Sequence, residues 1–173
     1  MITIVKPQTK EELEGVAKVN YLVDSEAMSP FWTEEAVLAH KAHGRQEALA
    51  AAESFSEHIL AAKDGDLVVG MIVCCPAYAN FEGEILIPNS ALVNNVYVLP
   101  QYRGRGIGWQ LLDAACEQLQ DYSAITLYVY EDNKKAKAFY QHYGFQMDGV
   151  SYLDGETYRG RFERMILRAR PGN

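Results

Sequence analysis

Three glycines at alternate positions, Gly104, Gly106 and Gly108, follow a strand-like run that stops at Pro100 and precede an apolar stripe of helical period. Glycine lets a chain turn through left-handed conformations and approach a ligand with no Cβ in the way. A helix that starts there presents N–H groups without intrahelical acceptors, at the positive end of its dipole. That combination suits a phosphate or pyrophosphate. Arg103 and Arg105 flank the glycines, either to add charge-assisted contacts or to stay in solvent. Two other phosphate loops do not fit. A dinucleotide fingerprint needs glycine where Trp109 stands, and no Gly-Lys-Ser/Thr completes a Walker A loop. A tight turn that binds nothing remains the plain alternative at this point.

A second group sits on a predicted helix. Ala136, Phe139, Tyr140 and Tyr143 are spaced i, i+3, i+4, i+7, and Gly144 stands where a C-terminal cap belongs. The Tyr140 phenol is a proton donor by type, or simply a core residue of that apolar stripe. Earlier in the chain, Asp24 and Glu26 precede Phe31 and Trp32, an acidic pair beside two aromatics that suits a cation. Phe31 and Trp32 serve equally well as a hydrophobic anchor. Glu82 and Glu84, in the irregular segment before the fourth strand, are the nearest acidic candidates for a base and are read as solvated rather than catalytic. His40 and His43 share a helix face without a carboxylate or cysteine at metal-ligand spacing; they and His142 are expected at the surface, and no metal is expected. Cys74, Cys75 and Cys116 have no framework spacing and read as reduced, packed thiols rather than as disulfides or a nucleophile.

These groups need strands and helices to hold them. Residues 2–5 alternate and are β-branched, and Thr9-Lys10-Glu11-Glu12 has capping-box spacing before a face of Leu13, Val16, Ala17 and Asn20. Ser29-Pro30 predicts the start of a second helix, running to about residue 53. Residues 58–63 and 67–78 read as a hairpin around Asp64-Gly65-Asp66, 79–89 as irregular, and 90–99 as a strand. A helix follows the glycines on Ile107, Leu111, Leu112, Ala115, Cys116 and Leu119, then a strand over 124–130. Strands over 145–152 and 161–168 close the chain around Asp154-Gly155. Arg159, Arg161, Arg164, Arg168 and Arg170 are read as the solvated face of the last strand.

The length of 173 residues fits one domain over 1–173. A net charge of −7 argues against nucleic-acid binding, which needs a clustered basic surface. No apolar run approaches a membrane span, and the N-terminus lacks a signal peptide's basic head and apolar stretch, so a cytoplasmic location is expected.

The motifs, taken together, resemble a known family. Residues 103–108 are similar to the Q/R-x-x-G-x-G/A signature of GNAT-type N-acetyltransferases, preceded by Val98-Leu99-Pro100 as their V-x-P strand end. Leu127-Tyr128-Val129 resembles the fifth strand, Asn133 the asparagine after it, and Ala136 to Tyr140 with Gly144-Phe145 the A-x-x-F-Y…G-F run. The match spans residues 92–150; the N-terminal part fits in element order only. The resemblance implies a mixed, mostly antiparallel α/β sheet of six to seven strands with helices on both faces. It implies acetyl-CoA as acyl donor, held between the fourth and fifth strands. Backbone N–H groups of Arg103, Gly104, Arg105, Gly106, Ile107 and Gly108 would hold the pyrophosphate. Backbone groups of Val96, Tyr97 and Val98 would pair with the pantetheine arm, with Asn133 near it. A small-molecule or peptide amine would attack the thioester directly, with Tyr140 as general acid. The family's usual glutamate on the fourth strand is replaced by Asn94 and Asn95, which leaves the base unassigned. A non-catalytic acyl-CoA sensor of the same fold is the alternative, and a homodimer is the expected assembly.

Overall fold

The computed structural model describes residues 1–154 and 156–168; Gly155 and Arg170, named above, lie outside the described residues. The elements run β1 (Ile2–Val5), α1 (Lys10–Met28), α2 (Glu34–Ser54), β2 (Ile59–Asp64), β3 (Leu67–Pro76), β4 (Ser90–Val98), α3 (Ile107–Gln118), β5 (Ala124–Tyr130), α4 (Lys134–Tyr143), β6 (Gln146–Leu153) and β7 (Arg161–Arg168). They form one seven-stranded sheet in the order β1-β2-β3-β4-β5-β7-β6. Every pairing is antiparallel except β4 with β5.

Alternation along the central strands supplies two cores. In β2, Ile59 and Ala61 face α1 and α2, while Leu60 and Ala62 face α3. The first core takes Val16, Val19 and Val23 from α1 and Ala48 and Ala52 from α2. The second takes Ile107, Leu111, Leu112 and Ala115 from α3, with Phe139 and Tyr140 of α4 packed against it. Helices thus cover both faces of the sheet.

The capping box forms as the sequence predicts: Thr9 Oγ1 accepts from the Glu12 N–H, and the Glu12 carboxylate accepts from the Thr9 N–H. The second helix starts later than Ser29-Pro30 suggests. Those residues open a short 3₁₀ turn, and Thr33 caps α2 by accepting from the Ala36 N–H. The delay has a cause, since Trp32 is fixed by an isolated β-bridge to Tyr158 and buried against Met28 and Tyr130.

The feature that matters most for function is a divergence in the middle of the sheet. β4 and β5 pair only over Ser90–Leu92 and Ala124–Thr126. Beyond that, Ile72 of β3 faces both Asn95 and Val96, and Asn95 sits at φ +51°. An extra residue in one strand bends it away from its neighbour. β5 meanwhile stays with β7 to its end at Tyr130. The sheet opens like a V. Among the described residues no helix is long and apolar enough to cross a membrane.

Candidate acyl-donor and acceptor cleft

The V is a cavity of about 1070 Å³. Val93 to Val98 line one side, Leu127 to Tyr130 the other, and Tyr102, Gly104, Gly106, Ile107 and Gly108 close one end. Asn133, Phe139 and Tyr140 reach it from α4, and Asp24 and Glu26 from α1.

At the glycine end, Pro100–Tyr102 makes a 3₁₀ turn, and the chain then passes through Gly104 at φ +75° and Gly106 at φ +74°. Side chains rarely adopt that conformation, so glycine is required there by the backbone. Gly106 is the N-cap of α3 and offers no side chain to its first turn. The first turns of α1 and α2 each carry two acids, Glu11 and Glu12 or Glu34 and Glu35; that of α3 has none. The positive end of α3 therefore meets the cleft uncompensated, with open N–H groups. Gly108 has a different duty: a Cβ there would lie 3.0 Å from the Phe139 ring, so its absence lets α3 and α4 close on each other.

The arginines do not both face that end. Arg103 spends its guanidinium on a bidentate pair with Glu26 (2.8 and 2.7 Å) and its Nε on the Val98 carbonyl (3.0 Å). The arginine holds the Glu26 carboxyl below its ordinary range. It ties the end of α1 to the glycine loop. Arg105 lies over the Tyr102 ring at 4.9 Å and donates to the Gln101 carbonyl.

Asn133 caps α4 by accepting from the Ala136 N–H at 3.1 Å while still lining the cavity. Tyr140 packs edge-on to Phe139 and Phe145, and burial pushes its phenol well above the ordinary 10.0. It stays protonated across the physiological range. Val96, Tyr97 and Val98 follow the bulge, with their strand edge toward the cleft.

Tyr97, expected to matter through its backbone, is also important through its side chain. Its hydroxyl donates to Asp24 Oδ1 at 2.6 Å, an interaction between residues 73 apart that no local spacing reveals. Burial raises the Asp24 carboxyl, partly offset by that hydrogen bond and by His40. Burial also pushes Tyr97 far above its ordinary value, reinforced by Asp24, Tyr158 and Tyr140 nearby. Phe81, Tyr130, Tyr158 and Phe162 form a contiguous aromatic wall, with ring centroids 4.7–6.2 Å apart, on the same cavity. Of the aromatic pair flagged in sequence, Trp32 is the buried anchor and Phe31 stacks on Tyr130 at 4.3 Å.

Three expectations need correction. Arg164 is not solvated; it is 7% exposed, donating to Asp148 (2.7 Å) and to the Ile85 carbonyl (3.1 Å). Arg159, Arg161 and Arg168 are exposed. His40 is half-buried rather than at the surface, stacked on Tyr21 at 4.6 Å with its Nε2 buried. Glu84 is held rather than solvated, bonding the Tyr128 hydroxyl and the Asn80 and Phe81 N–H groups. Burial raises all three thiols, Cys74 to about 11, so none is poised as a thiolate. Among the described residues no three His, Cys, Asp or Glu gather as a metal set.

Residues 21–145 match the acetyltransferase (GNAT) family. The chain is similar to the thialysine N-epsilon-acetyltransferase of Mus musculus, 32% identical over 123 residues, covering 63% of this chain and 69% of that one. Its fold resembles PH1933 from Pyrococcus horikoshii OT3, with a TM-score of 0.73 and 27% identity over 98% and 99% of the two chains. It also resembles the PaiA N-acetyltransferase from Thermoplasma acidophilum in complex with coenzyme A, with a TM-score of 0.70 and 20% identity over 97% and 99%.

Proposed function

The chain belongs to the acetyltransferase (GNAT) family, and from that premise we propose that it transfers an acetyl group from acetyl-CoA to a primary amine by direct attack. One observation carries this reading. A single cleft joins an uncompensated helix start at Gly104 to Gly108, an open strand edge at Val96 to Val98, and the protonated phenol of Tyr140.

The roles follow from what each part offers. N–H groups from Arg103 to Gly108 hold the pyrophosphate of the coenzyme, helped by the dipole of α3. Because the Arg103 side chain is spent on Glu26, its contribution to that site is the backbone and the loop it braces. The edge of β4 after the bulge has lost β5 as a partner, and backbone groups of Val96 to Val98 pair instead with the amides of the pantetheine arm. Asn133 lies alongside that arm. The amine attacks the carbonyl carbon, and Tyr140 gives its proton to the sulfur as the C–S bond breaks. The printed name of the mouse relative, a thialysine N-epsilon-acetyltransferase, supports an amine as the acceptor.

The test is thiol release from acetyl-CoA over a panel of amines, with product masses. A gain of 42 Da on an amine, together with free thiol, is the expected result. Tight binding of acetyl-CoA with no product from any amine would favour a sensor of the same fold.

A further inference from the structure

The reaction leaves one task undone. An amine enters as an ammonium at neutral pH and must lose a proton before it attacks, and β4 offers Asn94 and Asn95 where a glutamate would serve. Among the described residues three acids line the cavity: Asp24, Glu26 and Asp154. Glu26 is locked to Arg103 through both carboxylate oxygens. Asp154 Oδ1 accepts from its own turn, from the Glu156 and Thr157 N–H groups. Among the described residues Asp24 has neither a salt-bridge partner nor a backbone donor, and the Tyr97 hydroxyl is its hydrogen-bond partner. Its carboxylate therefore retains lone pairs for a ligand inside the cavity.

We propose that Asp24 binds the ammonium of the acceptor and takes the proton it must lose, with Tyr97 fixing the carboxylate for that role. The proposal rests on the acetyl-transfer reading above. Its acceptor is a cationic primary amine on an apolar or aromatic body, with no anionic group next to the reacting nitrogen. The aromatic wall of Phe81, Tyr130, Tyr158 and Phe162 continues from Tyr158, which stands near Asp24, and aromatic faces attract cations. Among the described residues the cavity's basic side chains are Arg103, already paired, and Lys135 at the start of α4. Arg103 is spent on Glu26, and Lys135, exposed and bearing on Glu26, is not among the charges that act on the Asp24 carboxyl.

The proton balance closes. Asp24 accepts one proton from R–NH3⁺ and passes it to solvent. The freed nitrogen lone pair forms the C–N bond, the C–S bond breaks with its electron pair on sulfur, and Tyr140 protonates that sulfur. The second proton leaving the nitrogen restores Tyr140. One amide, one thiol and one proton result.

The groups facing Asp24 are Tyr97 on β4, His40 on α2, and Tyr158 in the segment before β7. The Tyr97 hydrogen bond lowers the carboxyl, so removing it raises the pH at which Asp24 is protonated. Steady-state rates with acetyl-CoA and the best amine of the panel, measured from pH 5 to 10, test this. Asp24→Asn should cut kcat/KM for the amine at least a hundredfold near pH 7 while KM for acetyl-CoA stays within twofold, and Asp24→Glu should recover tenfold or more. Tyr97→Phe should shift the acidic limb of kcat/KM upward, which a merely structural loss would not do. 2-Phenylethylamine should be acetylated at least tenfold better than phenylalanine, its α-carboxylate counterpart.

An Asp24→Asn enzyme within threefold of wild type across the range would overturn the proposal, as would an unmoved limb in Tyr97→Phe. Equal use of the two matched acceptors would overturn the acceptor class. Should Asp24→Asn fail to fold, Tyr97→Phe and the matched acceptors decide alone. Wild-type protein that acetylates no amine would sink the transfer reading instead, so the two failures are distinct.

Discussion

Tyr140 is a hydrophobic neighbour by its packing, and the same surroundings suit the proton-donor role proposed for it. Packed against Phe139 and Phe145 and raised by burial, its phenol holds its proton well past the ordinary 10.0. A group whose folded pKa is raised is protonated everywhere below that value, so Tyr140 cannot produce a falling limb in kcat below about pH 10. Tyr140→Phe keeps the packing and removes the donor. We expect kcat to fall by about 10²-fold or more, the usual scale for a lost general acid, with acetyl-CoA binding retained. An unchanged kcat over the whole pH range would rule out the acid role. The tyrosine and the glycines were readable because their spacing is local. Asp24–Tyr97 was not, because its partners are 73 residues apart, and the same holds for the burial of Arg164 beside Ile85 and Asp148.

At the scale of elements, the glycine loop and α3 form one device. Gly106 lies at φ +74° and caps the helix, so Gly106→Ala should cost about 1–2 kcal/mol from left-handed strain alone. The measurable signs are a lower Tm and a raised KM for acetyl-CoA. Gly108→Ala works by another route, since its Cβ would meet the Phe139 ring at 3.0 Å and push α4 outward. It should raise KM for acetyl-CoA with a smaller effect on Tm, because an aromatic ring can yield where a backbone angle cannot. Periodicity placed most elements well: β5 and β7 lie on the residues the sequence assigns to them, because apolar runs bounded by turn residues leave little freedom. α2 was placed too early. Ser29-Pro30 has a proper helix-start pattern, but the Trp32–Tyr158 bridge, made by a segment over a hundred residues later, holds the chain extended until Thr33. The β4 bulge was equally invisible, since Asn94-Asn95 in a strand shows only as a departure from pattern.

For the whole molecule, the sheet is two paired halves, β1 to β4 and β5 with β7 and β6, joined by three residue pairs at one end. That junction opens a cleft through the centre of the fold, where α1 must place a carboxylate if the acceptor is a cation. Burying Asp24 has a thermodynamic cost. Desolvation raises its folded pKa above the ordinary 3.8, so the folded state binds the proton more readily than the unfolded chain. Above the folded pKa both states are ionised, and the full penalty on stability is present. As pH falls through that value toward 3.8 the penalty fades, and below 3.8 it is gone. Asp24→Asn keeps an oxygen for the Tyr97 hydroxyl and removes the charge. It should therefore melt at a higher temperature than wild type at pH 7.5, with the difference shrinking to nothing near pH 3.5 or below. Taking the difference between the two proteins cancels carboxylates shifted the other way, such as Glu12 and Glu26, which both carry. Calorimetry of the pair across that range checks it, and an Asp24→Asn protein less stable than wild type at pH 7.5 would mean the carboxylate supports the fold. A gain in stability coupled to a loss of turnover would instead place Asp24 among residues kept for chemistry at the expense of stability.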